Sequence, residues 1–86
     1  MGGKMRTVIE SELFSIQKTQ FSVTPYHLDE LLDGIIWALS HRPDIFWEVD
    51  ATKHIWLIKG VEQVPYRIWY TFNDETVTLL AIERAN

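Results

Sequence analysis

The chain has 86 residues, of which 47% are hydrophobic and 13% aromatic, so it can form one domain with a single core and is not a disordered tail. It contains no cysteine, which excludes a disulfide framework, a thiolate zinc site and a cysteine nucleophile. The formal net charge of −4 excludes a broad basic face of the kind that binds nucleic acid, so any contact with RNA is expected to be local.

No segment reaches the roughly 18 consecutive apolar residues of a membrane span, and the first residues lack the apolar segment of a secretory signal. We therefore expect a cytoplasmic protein with no membrane partner. Residues 1–86 are expected to form one domain, in which residues 1–5 are a leader that is either disordered or introduced by cloning.

A helix is predicted to begin at Thr24, because Thr is a favourable N-cap and Pro25 suits the first helical position. Pro43 disfavours helical geometry at the residue before it, so the helix is expected to end near Ser40 or His41. Between these limits, apolar side chains recur at helical spacing on one face: Leu28, Leu31, Leu32, Ile35, Ile36 and Leu39. This face is expected to pack on a sheet.

Three segments after the helix have the composition of β-strands: His54 to Lys59, Tyr66 to Phe72 and Val77 to Glu83. The links between them are short, which favours antiparallel neighbours and predicts a β-meander in the C-terminal half. Residues 43–52 are expected to be irregular, with solvated carboxylates. Residues 6–23 are predicted to contain a strand near their start, and either an edge strand or a short helix fits the remainder. The predicted fold class is α+β, a small antiparallel sheet packed on one or two helices.

The alternation of side chains along the last two strands predicts which residues share a face of the sheet. With residues 74–75 at the tip of the hairpin, Tyr70 lies opposite Leu79. In the same register Arg67 lies opposite Ile82. The core face then carries Tyr66, Ile68, Tyr70, Phe72, Val77, Leu79 and Ala81. The other face carries Arg67, Trp69, Thr71, Thr78, Leu80, Ile82 and Arg84.

Two arginines lie close together in this predicted register, because Arg84 is diagonal to Arg67 at roughly 7–8 Å. Two like charges side by side are unfavourable unless an anion lies between them. The pair is therefore a candidate phosphate site, with Trp69 available to stack a base. The alternative is that Arg67 forms an ion pair with Glu83 or Glu48, while Arg84 frays at the end of the chain.

The histidines and the loops offer weaker candidates for chemistry. His27, His41 and His54 are more than ten residues apart, and no pair has the spacing that places two metal ligands on one helix face. The sequence has no Gly-rich phosphate loop and no nucleophile elbow. We therefore predict neither a metal site nor a cofactor.

A resemblance to the RelE/ParE superfamily of bacterial type II toxins is carried by three segments: ALSHRPDIFWEV, HIWLIKG and PYRIWYTFNDETVTLLAIERAN. In that family a helix ending in a short Pro-containing segment precedes three antiparallel strands. The second of these strands begins with a Tyr-Arg pair and contains a further Tyr, as Tyr66, Arg67 and Tyr70 do here. The resemblance covers about half of the chain and implies a RelE/ParE-like fold.

The resemblance also implies a function, that of a toxin neutralised by a cognate antitoxin, whose RelE-like members cleave mRNA on the ribosome. By this analogy Arg67 matches the Arg that contacts the scissile phosphate, and Arg84 lies near C-terminal positions that supply further groups. His54 is the candidate proton shuttle of a metal-independent endoribonuclease. The candidate RNA-binding residues are Lys59, Lys53 and Trp69.

A second interpretation keeps the fold without the catalysis. ParE-like gyrase inhibitors lack the nuclease residues, and here Ile55 and Leu57 occupy strand positions where RelE-like nucleases commonly have basic residues. A non-catalytic interaction module, either gyrase-inhibitor-like or a degenerate toxin, therefore stays open. We also predict that an apolar surface is covered by the antitoxin or by a second copy in a homo-oligomer. That surface comprises Trp56, Trp69, Leu80 and Ile82.

Overall fold

The structure, a computed structural model, describes residues 5–20, 25–59 and 66–84, with the backbone alone for residues 25–29. These ranges contain two α-helices, one short 3₁₀ helix and five strands. In chain order they are β1 (Thr7–Glu10), α1 (Glu12–Thr19), α2 (Pro25–His41), the 3₁₀ helix (Pro43–Ile45), β2 (Trp47–Asp50), β3 (Ile55–Ile58), β4 (Tyr66–Phe72) and β5 (Thr76–Arg84).

The strands form one sheet in the order β1-β5-β4-β3-β2. The strands β2 to β5 are antiparallel neighbours, so the predicted β-meander is confirmed. The first strand pairs with β5 in parallel, from Thr7 opposite Thr76 to Glu10 opposite Leu79. The sheet is therefore mixed, and because both helices pack on it the α+β class is confirmed.

The expectation of an irregular segment over residues 43–52 is wrong for Trp47–Asp50, which form β2. Four residues alternate too briefly to identify a strand from sequence. Pairing with β3 stabilises them, in a register that places Trp47 opposite Leu57. The Asp50 carboxylate accepts the Lys53 N–H at 3.1 Å in the turn that follows.

The long helix α2 begins at Pro25 and ends at His41, as the positions of its first proline and of Pro43 predict. Its apolar stripe faces the sheet as expected, and the buried or partly buried members are Leu31, Leu32, Ile35, Ile36 and Leu39. The predicted N-cap Thr24 and the side chain of Leu28 lie outside the described residues.

The core lies between the helices and one face of the sheet. Buried and partly buried residues alternate along the first part of β4, as burial on one face requires. The buried side chains from the sheet are Ile58, Tyr66, Ile68, Tyr70, Val77, Leu79 and Ile82. Phe14 enters the same core from α1, while Trp56 and Phe72 pack at its margin.

A β-bulge at Leu80 interrupts the pairing of β4 with β5. Tyr70 lies opposite Leu79 as predicted, but the next pair is Trp69 with Ala81. Leu80 therefore has no partner residue on β4. Because side chains alternate with a period of two, one extra residue reverses the face of every residue after it.

Three predicted positions on β5 change face because of this bulge, namely Ala81, Ile82 and Arg84. Ile82 lies in the core with 1% of its surface exposed, and Ala81 lies on the opposite face. The predicted pairing of Arg67 with Ile82 is wrong, because Arg67 lies opposite Glu83.

The short helix α1 covers the part of β5 that lies beyond the end of β1. Ser11 caps the helix, since its Oγ accepts the Phe14 N–H at 3.1 Å, and it donates to the Leu80 carbonyl oxygen at 2.9 Å. The Gln17 Oε1 accepts the Ile82 N–H at 2.9 Å. These bonds satisfy β5 backbone groups that no strand reaches. The N-terminal segment thus forms the predicted strand and then a short helix. The sequence alone did not decide between that helix and an edge strand.

Candidate functional site

The sheet has a second face, opposite the core, on which Arg67, Trp69 and Arg84 were expected. We call it the open face, because neither α1 nor α2 packs on it. An apolar row crosses it from strand to strand, and its members, each opposite the next, are Trp47, Leu57, Trp69 and Ala81. Trp47 is 49% exposed and the other three are partly buried. The open face thus presents apolar side chains across the width of the meander.

A charged row lies beside the apolar row, towards one end of the sheet. The Arg67 Nη1 atom is 3.2 Å from the Glu83 Oε1 atom. Lys59 directly follows Ile58 at the end of β3, on the other side of Arg67, and its Nζ atom is 5.4 Å from the centre of the Trp47 ring. An exposed ion pair contributes about 1 kcal/mol or less. Another anion can therefore replace Glu83 beside Arg67.

The predicted pair of guanidinium groups does not form. Arg84 lies opposite Tyr66, whose side chain is in the core, so Arg84 belongs to the helix side of the sheet and is exposed there. Arg67 belongs to the open face. The bulge is the physical reason, since without it the two arginines would share a face. The alternative considered from the sequence, an ion pair of Arg67 with Glu83, is present.

Two other predicted residues, Lys53 and His54, lie at the far end of β3 from Lys59. Both are exposed in the turn between β2 and β3, where His54 has a left-handed φ of 54°. Lys59 is five positions after His54, which in extended chain is roughly 16 Å at about 3.3 Å per residue. Proton transfer requires heavy atoms about 3 Å apart. The structure therefore does not bring His54 to a phosphate held by Arg67.

Half of the predicted site residues do come together on the open face, namely Lys59, Arg67 and Trp69. Trp47 belongs to the same surface and was missed by the sequence analysis. A strand assignment over residues 47–50 would have placed it there, but the pairing with β3 that creates this strand is not visible in its own four residues.

Tyr70, the second Tyr of the family pattern, is a core residue. Its hydroxyl donates to the carbonyl oxygen of Pro43. Burial raises the pKa of this hydroxyl above its ordinary value, and the Asp44 carboxylate raises it further. Tyr70 therefore stays protonated near neutral pH and anchors β4 to the end of the helix layer.

Neither a metal-binding cluster nor a membrane-spanning helix is present in the described ranges. Within the described ranges, no three His, Asp or Glu side chains are grouped so that they could hold a metal ion. Over the same ranges, neither helix has the length and apolar character needed to cross a membrane.

Comparisons with known proteins identify the fold. No protein-family model matches the sequence, and no curated protein matches it. A chain of the toxin–antitoxin complex RelBE2 from Mycobacterium tuberculosis matches with a TM-score of 0.74 at 18% identity, over 95% of this chain and 94% of that chain. A chain of the chromosomal ParDE TA system from P. aeruginosa matches with a TM-score of 0.61 at 8% identity, over 98% and 100% of the two chains.

A third solved structure, the archaeal RelE-RelB complex from Pyrococcus horikoshii OT3, contains a chain that matches with a TM-score of 0.54 at 13% identity. The match covers 95% of this chain and 97% of that chain. Each of the three matches covers nearly the whole length of both compared chains. This chain therefore has the RelE/ParE-like fold that its sequence resembles.

Proposed function

We propose that this protein is the toxin component of a type II toxin–antitoxin module and that its partner is a cognate antitoxin. The observation that carries the proposal is the likeness, over 95% of the chain, to a chain of the RelBE2 complex. The other two structures are also named for systems of this kind. Because a fold alone does not specify a function, the open face has to supply the second argument.

The open face has the character of an interaction surface. Its apolar row ends in the half-exposed ring of Trp47, and exposed apolar patches on small proteins mark contacts with other macromolecules. An antitoxin segment laid along this row would bury Trp69 and would also cover Arg67 and Lys59. One partner would then both stabilise the surface and block it.

For the activity, we propose cleavage of ribosome-bound mRNA without a metal ion. The 2′-hydroxyl would attack the adjacent phosphate and expel the 5′-oxygen, and Arg67 would stabilise the charge that develops on the phosphoryl oxygens. Lys59 offers a second cation in the same row and Trp69 a ring on which a base can stack. The phosphate would take the place of Glu83. The proposed roles of Arg84, Lys53 and His54 are contacts with more distant parts of the mRNA, because these residues lie apart from Arg67.

A non-catalytic role, as a gyrase-inhibitor-like protein or a degenerate toxin, is the second candidate. One observation favours it: among the described residues of the charged row, the only carboxylate is Glu83, which is already paired with Arg67. His54 is at the other end of β3. A base for the 2′-hydroxyl would then have to come from the ribosome or from outside the described residues.

Expression in a bacterial host tests both candidates. We expect growth arrest and cleavage of translated mRNA, both lost in Arg67→Ala with circular dichroism and melting temperature unchanged. Arg67→Lys should restore little of the growth arrest or the mRNA cleavage, because an ammonium group lacks the bidentate fork of a guanidinium group. Arg42→Ala is the matched control. Arg42 is also an exposed arginine next to a carboxylate, 3.3 Å from Asp44, but it lies just after α2, and its loss should leave the arrest intact.

Each other outcome has a distinct meaning. Arrest that persists in Arg67→Ala would refute the site while leaving the toxin proposal standing. Arrest with intact mRNA and inhibited DNA supercoiling would favour the gyrase-inhibitor role. The toxin proposal itself fails if the chain causes no arrest and no protein encoded by a neighbouring gene forms a complex with it.

A further inference from the structure

The outer face of α2, away from the sheet, combines a large exposed ring with a gap. Trp37 is 66% exposed, the most of any large hydrophobic side chain in the described part of the chain. Gly34 precedes it by three residues, and a Cβ added there would meet no atom of the described residues within 4 Å. Glycine is unfavourable inside a helix relative to alanine. No close neighbour in the described structure requires the small residue, so the glycine leaves open space on this face of α2.

Four exposed residues form a stripe along this face: Glu30, Gly34, Trp37 and His41. They follow one another at spacings of four, three and four, as the seam positions of a coiled coil do. The rings of Trp37 and His41 are in contact, with centroids 4.4 Å apart and planes tilted by 32°. The stripe is acidic towards the N-terminus of α2 and ends at His41, beside Arg42.

We propose that this stripe is a homodimer contact in which the α2 helices of two copies pack antiparallel. A two-fold axis midway between Gly34 and Trp37 places each Trp37 over the Gly34 of the other copy. The same axis places each Glu30 against the His41 of the other copy. The ring fills the space that the glycine leaves, and each Glu30 carboxylate meets an imidazole ring that can donate a hydrogen bond to it. Opposite ends of the two helix dipoles also meet.

A parallel arrangement lacks this fit, because it would place Trp37 against Trp37 and Glu30 against Glu30. The stripe is therefore complementary to a copy of itself in one orientation. One pair of helices buries an area at the low end of specific interfaces, so we expect a dissociation constant in the micromolar range. The stripe is on the helix layer and the apolar row is on the open face, so this inference does not depend on the proposed function.

Sedimentation velocity of the full chain over a wide range of concentration tests the contact. We expect a reversible monomer–dimer equilibrium. Gly34→Ala should raise the dissociation constant about tenfold or more by overpacking the contact. The melting temperature of the dilute monomer should stay the same or rise, because alanine favours a helix. Opposite effects on association and on folding separate a contact from a folding defect.

Two further variants sharpen the test. Trp37→Ala should abolish the dimer, whereas Trp47→Ala, which removes an exposed tryptophan from the open face, is the matched control and should leave the equilibrium unchanged. Glu30→Lys should weaken the dimer, and combining it with His41→Glu should restore it.

The contrary outcomes are equally defined. A chain that is monomeric at every concentration would overturn the proposal. A dimer that survives Gly34→Ala and Trp37→Ala but is lost in Trp47→Ala would move the contact to the open face. If Glu30→Lys combined with His41→Glu did not restore the dimer, the antiparallel arrangement would be ruled out.

Discussion

Individual side chains join the layers of this fold, and Tyr70 is the clearest case at the residue scale. It has no exposed surface, and its ring meets the Phe46 ring edge-on with 6.3 Å between the centroids. Its hydroxyl gives the buried Pro43 carbonyl oxygen a donor, and so ties the middle of β4 to the 3₁₀ helix. A buried carbonyl without a donor costs free energy, which gives this contact a measurable value.

Tyr70→Phe removes the donor, so we expect the free energy of unfolding to fall by about 1–3 kcal/mol in urea denaturation near neutral pH. The pKa of Tyr70 is raised in the folded state by burial and by the Asp44 carboxylate. Its contribution is therefore complete below the unfolded pKa of about 10 and is lost as the pH rises above it. The stabilities of wild type and variant should converge above that pH. A constant difference would contradict the assignment.

At the scale of elements, the bulge in β5 and the helix α1 form one unit. Around the bulge, β5 extends beyond the end of β1, and there Ser11 and Gln17 bind the Leu80 carbonyl oxygen and the Ile82 N–H. Glu10, at the end of β1, supports the same helix: burial opposes its ionisation, but hydrogen bonds from Lys18 and Ser15 outweigh this and lower its pKa. The register of the C-terminal strand thus depends on residues near the N-terminus.

Ile82→Ala and Leu80→Ala form a matched pair that tests the bulge. We expect Ile82→Ala to lower the free energy of unfolding by about 2–5 kcal/mol, because it leaves a cavity in the core. Leu80 is only partly buried, so Leu80→Ala should lower the free energy of unfolding by markedly less. Uninterrupted alternation from the hairpin tip places both residues on the outer face. If both variants lowered the free energy of unfolding by the same small amount in chemical denaturation, the predicted register would be correct and the bulge would be refuted.

At the scale of the whole molecule, the protein has one helix layer on one face of a five-stranded sheet. The buried hydrophobic residues that the structure describes form one cluster at that interface, which includes Leu32 and Leu39 from the helix and Ile68 and Leu79 from the sheet. A small domain with a single core has little stability in reserve. A partner that covers the open face would increase the free energy of unfolding, because a partner that binds only the folded state stabilises that state.

Leu32→Ala tests this layer arrangement, because Leu32 is 3% exposed at the centre of the helix stripe. We expect a loss of about 2–5 kcal/mol in the free energy of unfolding, measured by chemical denaturation. Asp33→Ala, at the neighbouring exposed position of α2, is the control and should change it by less than about 0.5 kcal/mol. If Leu32→Ala changed it as little as the control does, the stripe would not be the core face of the helix.

The sequence by itself determined the elements whose signals are local. The helix α2 follows from Pro25, from Pro43 and from a stripe at helical spacing, and β4 follows from alternation over seven residues. It also determined the meander and the part of the core that precedes the bulge, since short links and a period of two are properties of neighbouring residues. The resemblance that identified the fold rests on these same segments.

Only the tertiary structure decided the features that depend on distant partners. The strand β2 exists through its pairing with β3, and β1 lies parallel to a strand at the other end of the chain. The bulge at Leu80 is satisfied by Ser11, 69 residues away in sequence. That one extra residue places Glu83 beside Arg67 and Arg84 on the other face, because each residue after a bulge changes sides. The make-up of the candidate site thus depends on the pairing of β5 with β4, which the alternation of neighbouring residues does not determine.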